Sequence, residues 1–363
     1  MLSYIMDPAT SRQEKEEVEE RAQLRSRYNE AVSGLLQALE SEPKAAYSSD
    51  NLTELGVVLA SFNPESSSFL ESKACLFKPI SSEELEGFSL SRLDLPEGSQ
   101  YWYNDFDNIY HYPTNVENPS PAYIIGARAE QIFRYLRVYY TNLQKKSGRD
   151  TDFFEEFDGW DGIREGNSFL DGGMGLLYGR CGGVPRWDIR TEREWQEDSN
   201  DPETTSPHIM LVVCTTDDTT KADELLFSEL GSITQAIRKR LDQKEFEKTS
   251  LFPVCHQRFL PTVAISFFGP RHGRLLQANY TKSGILKVRV SPIYSFVHEA
   301  EAPFDIFLRY YACDPQDGSE YEFYSDKEDA PTQATEYVSP STESEMENIT
   351  AKEYDHTPSV EES

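Results

Sequence analysis

Three short apolar runs joined by very short connections constrain the fold of this chain most. The runs are PTVAISFF (261–268), RLLQANY (274–280) and ILKVRVS (285–291), and the connections are GPRHG and TKSG. Connections this short do not allow the crossover that parallel neighbours require, so they predict an antiparallel meander. In the third run, apolar positions alternate with Lys287 and Arg289, which predicts one buried face and one solvated face.

Helices and further strands are predicted around this meander. Apolar residues at helical spacing predict helices over 122–145, 221–241 and 302–313, and a long helix from Asp7 to about residue 41. The runs at 56–62 and 207–216 are typical of strands. The apolar stripe of the long helix begins at Tyr28, so its second half is expected to dock on a core. Its first half is expected to be solvated or to face a partner.

These elements predict an α+β (or α/β) fold in three regions. Residues 1–205 form a helix-rich region with irregular loops, in which the acidic stretch 191–206 is interpreted as an exposed loop or linker. Residues 206–313 form a mixed, mainly antiparallel sheet flanked by helices. Residues 314–363 hold 15 Asp or Glu against 2 Lys, or −13 of the chain's net charge of −28. This composition predicts a disordered acidic tail.

Composition also bears on location and on general classes of partner. The five cysteines show no CxxC pair, which is typical of free thiols in a reducing compartment. The first residues lack the pattern of a secretory signal, and no apolar run reaches the length of about eighteen residues that spans a bilayer. We therefore expect a cytoplasmic or nuclear protein without a membrane partner. The large acidic excess disfavours nucleic acid as a partner.

The sequence contains no familiar catalytic or metal-binding constellation. It has no GxSxG elbow and no P-loop, and its six histidines lack metal-ligand spacing. Cys255 and His256 are adjacent, and adjacent residues of an extended strand point to opposite faces. We predict no catalytic residue, no metal and no cofactor, and whether the protein is an enzyme stays open, with a non-enzyme favoured.

The order of helix, three strands and helix is similar to the core of PD-(D/E)xK nucleases. That family holds its metal through an acid on the second strand and a Glu-x-Lys motif on the third. The corresponding runs here, RLLQANY and ILKVRVS, contain no acid. A degenerate core of this shape, which handles nucleic acid without cutting it, is therefore one alternative.

Basic residues cluster at a predicted helix end, in the GPRHG turn and on the solvated strand face. They are Arg238, Lys239, Arg240, Arg271, His272, Arg274, Lys287 and Arg289. If the helix end and the turn converge, these residues form an anion-binding patch suited to an anionic partner or to the acidic tail. The alternative is that they complement the helix dipole and lie on solvated faces.

The segment from Leu225 to Pro315 resembles a group of ascomycete fungal proteins of uncharacterised activity. It runs from LLFSELGSITQAIRKRL through FFGPRHGRLLQANY and LKVRVSPIYSF to FDIFLRYYACDP. The resemblance implies a fungal source and an intracellular location, and it assigns no residue roles. We expect a non-enzymatic interaction or regulatory protein, with a protein partner at the long helix or the acidic tail. The alternative is an accessory protein or an unrecognised enzyme of a fungal biosynthetic pathway for a secondary metabolite.

Overall fold

The computed structural model describes eleven stretches of the chain: residues 8–90, 106–107, 120–146, 153–156, 158–163, 180–181, 184–185, 187–196, 205–218, 220–243 and 259–316. The described helices are α1 (Pro8–Ser41), α2 (Ser49–Glu54), α3 (Ser67–Leu70), α4 (Ser82–Glu86), α5 (Pro121–Asn142), α6 (Phe227–Asp242) and α7 (Phe304–Tyr311), with a 3₁₀ turn at Phe154–Glu156. The described strands are β1 (Ala46–Ser48), β2 (Val57–Ser61), β3 (Phe77–Lys78), β4 (Phe88–Leu90), β5 (Leu143–Lys145), β6 (Trp160–Gly162), β7 (Arg180–Cys181), β8 (Val184–Pro185), β9 (Trp187–Gln196), β10 (Thr205–Thr215), β11 (Glu224–Leu226), β12 (Phe259–Phe268), β13 (His272–Tyr280), β14 (Leu286–Val290), β15 (Tyr294–Ser295) and β16 (Asp314–Pro315).

An eight-stranded mixed sheet lies at the centre of the fold. Its strands follow the order β2, β14, β13, β12, β10, β9 and β6, and the short β15 pairs with β13. Most neighbours are antiparallel, whereas β10 with β12 and β14 with β2 are parallel. The predicted meander of β12, β13 and β14 is confirmed. The predicted fold class, helices around a mixed and mainly antiparallel sheet, is confirmed as well.

The two faces of the sheet carry separate core layers. On one face, α6 packs on β10 and β12, α1 packs on α6, and the layer includes Leu276 and Val288. On the other face, α5 packs on β10 and β12, and the layer includes Leu275 and Phe307. In β14, buried positions alternate with the partly exposed positions of Lys287 and Arg289, as predicted.

The long N-terminal helix docks through its second half. Its buried side chains recur at helical spacing: Leu24, Tyr28, Val32, Leu35 and Leu39. The ring of Tyr28 lies 5.9 Å from that of Tyr280 on β13, measured between centroids. The docked half confirms the prediction from the apolar stripe. No helix in the described ranges combines the length and the apolar composition that crossing a membrane requires.

Three predicted element assignments are wrong. The helix predicted over 122–145 ends at Asn142, because Leu143–Lys145 form β5 and pair with β4. The helix predicted from about residue 221 begins at Phe227, because Glu224–Leu226 form β11 and pair with β1. The Glu229 carboxylate accepts a hydrogen bond from the backbone N–H of Leu226 at 2.9 Å, which caps the helix at this point. The stretch interpreted as a loop from residue 191 instead completes β9, which pairs with β10. Residues 197–204 lie outside the described residues.

The predicted boundary at residue 205 falls inside the sheet. Strands β9 and β10 pair across it, and β2 from the N-terminal part pairs with β14 from the C-terminal part. The regions 1–205 and 206–313 therefore share one sheet. Of the predicted acidic tail, β16 pairs with β3, and residues 317–363 lie outside the described residues.

Candidate functional site

Two arginines of the predicted anion-binding patch lie in buried ion pairs. Arg274 on β13 is fully buried, and its Nε donates to Oε1 of Glu229 at 2.8 Å. Arg240 is also fully buried and donates to Oε2 of Glu194 at 2.9 Å. Because an α-helix rises about 1.5 Å per residue, the positions of Glu229 and Arg240 lie about 16 Å apart along α6. The two guanidinium groups therefore occupy opposite ends of that helix.

The GPRHG turn is held in place from inside the protein. Arg271 is 2% exposed and donates to the carbonyl oxygens of Val297 at 2.7 Å and Phe106 at 3.0 Å. Its guanidinium carbon also lies 4.3 Å from the centroid of the Phe106 ring. Nδ1 of His272 lies 3.1 Å from the carbonyl oxygen of Gly269. The contacts of Arg271 thus tie the turn to neighbouring loops.

The remaining cations of the predicted patch lie on two different faces. Arg238 and Lys239 lie near the end of α6, where Arg238 contacts Asp242 at 3.1 Å. Lys287 and Arg289 point away from α6, because they alternate with the β14 residues that pack under it. The eight residues therefore do not form one patch. Burial of a charge requires a partner, and this acidic protein supplies its own carboxylates to Arg240 and Arg274.

Lys287 and Arg289 instead stand beside an edge of the sheet. Their cross-strand neighbours are Val58 and Ala60 on β2, the last strand on this side of the sheet among the described residues. Val58 is 44% exposed, and Ile285, which shares the alternation of Lys287, is 37% exposed. Among the side chains whose burial the structure describes, no other large apolar one is this exposed. We call the surface formed by these five residues the β2 edge.

The outer side of β2 presents backbone groups that point away from the sheet. The N–H of Leu286 donates to the carbonyl of Gly56 at 3.1 Å, and the N–H of Phe62 donates to that of Val290 at 2.9 Å. Successive residues of a strand direct these groups to opposite sides, so Leu59 and Ser61 direct theirs outward. No described strand pairs with that side.

Edge strands are commonly protected by charged residues, proline or a bulge, because an open edge accepts further strands. The sequence of β2, VVLAS, contains neither a charged residue nor a proline. Its register with β14 is continuous from Val57 to Ser61, without a bulge. The β2 edge can therefore take up another extended segment through main-chain hydrogen bonds.

A second set of ionisable side chains, away from the predicted patch in sequence, is buried and paired. Nη2 of Arg193 lies 2.9 Å from Oδ1 of Asp158, and the Tyr140 hydroxyl donates to the same carboxylate. Burial raises the pKa of the Asp158 carboxyl, and the Arg193 guanidinium opposes that shift. In the described ranges, no group of three or more His, Cys, Asp or Glu side chains is arranged to hold a metal ion.

Sequence reasoning identified two residues of the β2 edge and missed the edge itself. The alternation of Lys287 and Arg289 with apolar residues was visible, and so was the uncharged strand VVLAS. Their adjacency was not visible, because β2 and β14 lie far apart in the chain. Comparisons of the chain with protein-family models, with curated proteins and with solved structures find no match.

Proposed function

We propose that this is a non-enzymatic interaction protein that takes up an extended, acidic segment of a partner protein as a new strand on the β2 edge. The observation that carries the proposal is the exposed, uncharged strand β2 beside Lys287 and Arg289. Main-chain hydrogen bonds to Leu59 and Ser61 supply affinity, and side-chain contacts supply selectivity.

The charges beside β2 favour acidic residues in the added segment. Neighbouring strands lie about 4.8 Å apart, so an added strand lies about 10 Å from β14. Val58 and Ala60 are small, so the long side chain of Lys287 can extend across them. Arg289 donates to Oδ1 of Asn279 on β13 at 3.1 Å and adds positive charge to the same face. Acidic side chains at every second position of the segment would meet these cations on one face. Positions between them would lie beside Leu59, which packs against the core.

The proposal also concerns source and location. It takes the protein to be fungal and intracellular, in the cytoplasm or the nucleus. The support is the resemblance of residues 225–315 to ascomycete proteins and the scattered cysteines of the sequence.

Selection from a displayed library of random linear peptides against the full chain tests this function. We expect enrichment of acidic residues at alternate positions and binding that weakens as the salt concentration rises. Ser61→Pro removes an outward N–H while leaving the bonds to β14 intact, since proline is tolerated on edge strands. This variant should lose binding at least tenfold, whereas the matched control Ser61→Ala, which keeps the N–H, should bind as the wild type does.

Charge reversal separates the side-chain contribution from the backbone contribution. In a Lys287→Glu and Arg289→Glu double variant, the same selection should favour basic residues at alternate positions. The proposed function fails if the selected peptides bind the Ser61→Pro variant as tightly as they bind the wild type. It fails as well if the double variant selects the same acidic peptides.

A further inference from the structure

A cleft of about 430 Å³ lies between α5 and the segment that leads into α7. Its size falls in the range of about 300 to 1,000 Å³ that is typical of small-molecule sites. The side chains that define its chemistry are three aromatic rings and two carboxylates: Tyr135, Tyr139, Phe304, Glu299 and Asp305. The cleft is therefore both aromatic and acidic.

The aromatic wall is fixed by the start of α5 and by ring packing. Ser120 accepts a hydrogen bond from the N–H of Tyr123 at 3.2 Å, and Pro121 follows it, which sets where α5 begins. Tyr135 and Tyr139 lie one helical turn apart and so share a face. The centroids of the Tyr135 and Phe304 rings are 4.3 Å apart.

A second layer of contacts supports this wall from behind. The Phe106 ring packs edge-on against Tyr135 at 4.8 Å and against Phe304 at 5.2 Å, measured between centroids. Phe106 is fully buried, and it is the ring on which the Arg271 guanidinium lies. The rings are therefore held in position before any ligand binds.

The Glu299 carboxylate is oriented by its own hydrogen bonds. The Tyr135 hydroxyl donates to its Oε1 at 2.7 Å, and the backbone N–H of Glu299 donates to Oδ1 of Asp107 at 2.8 Å. Asp305 stands at the rim with its side chain 60% exposed, 3.9 Å from Arg309. Arg309 also donates to the carbonyl of Ile80 at 2.7 Å. Among the described residues, those that line the cleft include these two carboxylates and no cation.

This combination selects a particular class of ligand. The face of an aromatic ring carries negative potential and attracts cations, and a nearby carboxylate adds to that attraction. A methylated ammonium group cannot donate as many hydrogen bonds as a primary one, so aromatic faces are favourable partners for it. We infer that the cleft between α5 and α7 binds an organic ammonium cation that carries N-methyl groups. The inference does not rest on the proposed function of the β2 edge.

Ligand-observed NMR on the full chain tests the inference, with tetramethylammonium chloride as the probe and sodium chloride as the ionic-strength control. We expect saturable binding of the probe. Tyr139→Leu should weaken it about three- to tenfold, the loss expected for one ring, and Tyr139→Phe, which keeps the ring, should retain it. Glu299→Gln should weaken binding, whereas Glu301→Gln removes an equal charge from an exposed position outside the lining and should not.

Two competitors show whether the N-methylated ammonium group belongs to a small molecule or to a modified protein. Displacement of the probe by choline but not by a peptide containing trimethyllysine assigns a small molecule, and the reverse assigns a modified protein. Thermal unfolding followed by circular dichroism confirms that each variant is folded. The inference is overturned if the probe does not saturate, or if folded Tyr139→Leu binds as the wild type does. Equal losses in Glu299→Gln and Glu301→Gln would also overturn it, since they would reflect overall charge alone.

Discussion

The buried arginines show how single charged residues stabilise the fold of this protein. Arg274 and Glu229 are both fully buried, and the pair joins β13 to the first turn of α6. Desolvation of each charge is unfavourable, and their mutual attraction offsets that penalty only while both are present. The GPRHG turn, which the sequence placed in a candidate anion-binding patch, is thus held by structural contacts.

Removal of one partner of this pair should be strongly destabilising. Glu229→Gln leaves the Arg274 guanidinium buried without a countercharge, so we expect the free energy of unfolding to fall by about 3–5 kcal/mol. Urea denaturation followed by circular dichroism measures the change. The double variant Glu229→Gln with Arg274→Met should lose less than the sum of the single variants. Stability of Glu229→Gln within about 0.5 kcal/mol of the wild type would contradict this account.

Three buried cysteines should be unreactive in the folded protein. Cys75, Cys214 and Cys313 are buried free thiols, and burial raises the pKa of Cys214 and of Cys313. Because the thiolate is the reactive species, a higher pKa and burial both slow modification. Titration with Ellman's reagent should therefore detect at most two of the five thiols quickly in the native protein and all five in urea. A fast phase that accounts for three or more thiols would show that at least one of Cys75, Cys214 and Cys313 is accessible.

Among the elements, α1 offers a buried and an exposed position on one helix, because its second half docks on the core. Leu39 is fully buried, so Leu39→Ala should lower the free energy of unfolding by about 2–5 kcal/mol. Glu19 is exposed on the same helix, and Glu19→Ala should change stability by less than about 0.5 kcal/mol. Chemical denaturation of both variants measures the contrast. Equal effects would mean that α1 does not dock as described.

Sequence periodicity and turn residues predicted the elements whose pattern is visible in a single stretch of the chain. The meander, α5 and α7 follow from periodicity and short turns that are visible in the sequence. Strand β9 was missed because Glu194, an acidic residue in a buried strand, is compensated by Arg240, a partner distant in the chain. The β2 edge could not be predicted for the same reason, a contact between residues distant in the chain. The exposed position of Lys287 follows from its own strand, whereas its pairing with Val58 depends on the tertiary fold.

At the scale of the whole molecule, one sheet joins both halves of the chain. A fragment of residues 206–363 lacks β2 and β9, which flank its strands. It also lacks α1, which packs on α6, and α5, which covers the other face of the sheet. We expect this fragment, expressed alone, to give a poorly dispersed amide NMR spectrum and no cooperative thermal transition. Well-dispersed amide signals and a cooperative transition would mean that the C-terminal part folds independently.

Amide hydrogen exchange of β2 tests most directly whether the protein works by strand addition. The N–H groups of Leu59 and Ser61 point outward and should exchange quickly in the free protein, while those of Val58 and Ala60 are directed toward β14. Saturation with a selected acidic peptide should slow amide exchange at Leu59 and Ser61 at least tenfold. The exchange rates at Val58 and Ala60 should change little. Unchanged exchange at Leu59 and Ser61 under saturating peptide would contradict strand addition at the β2 edge.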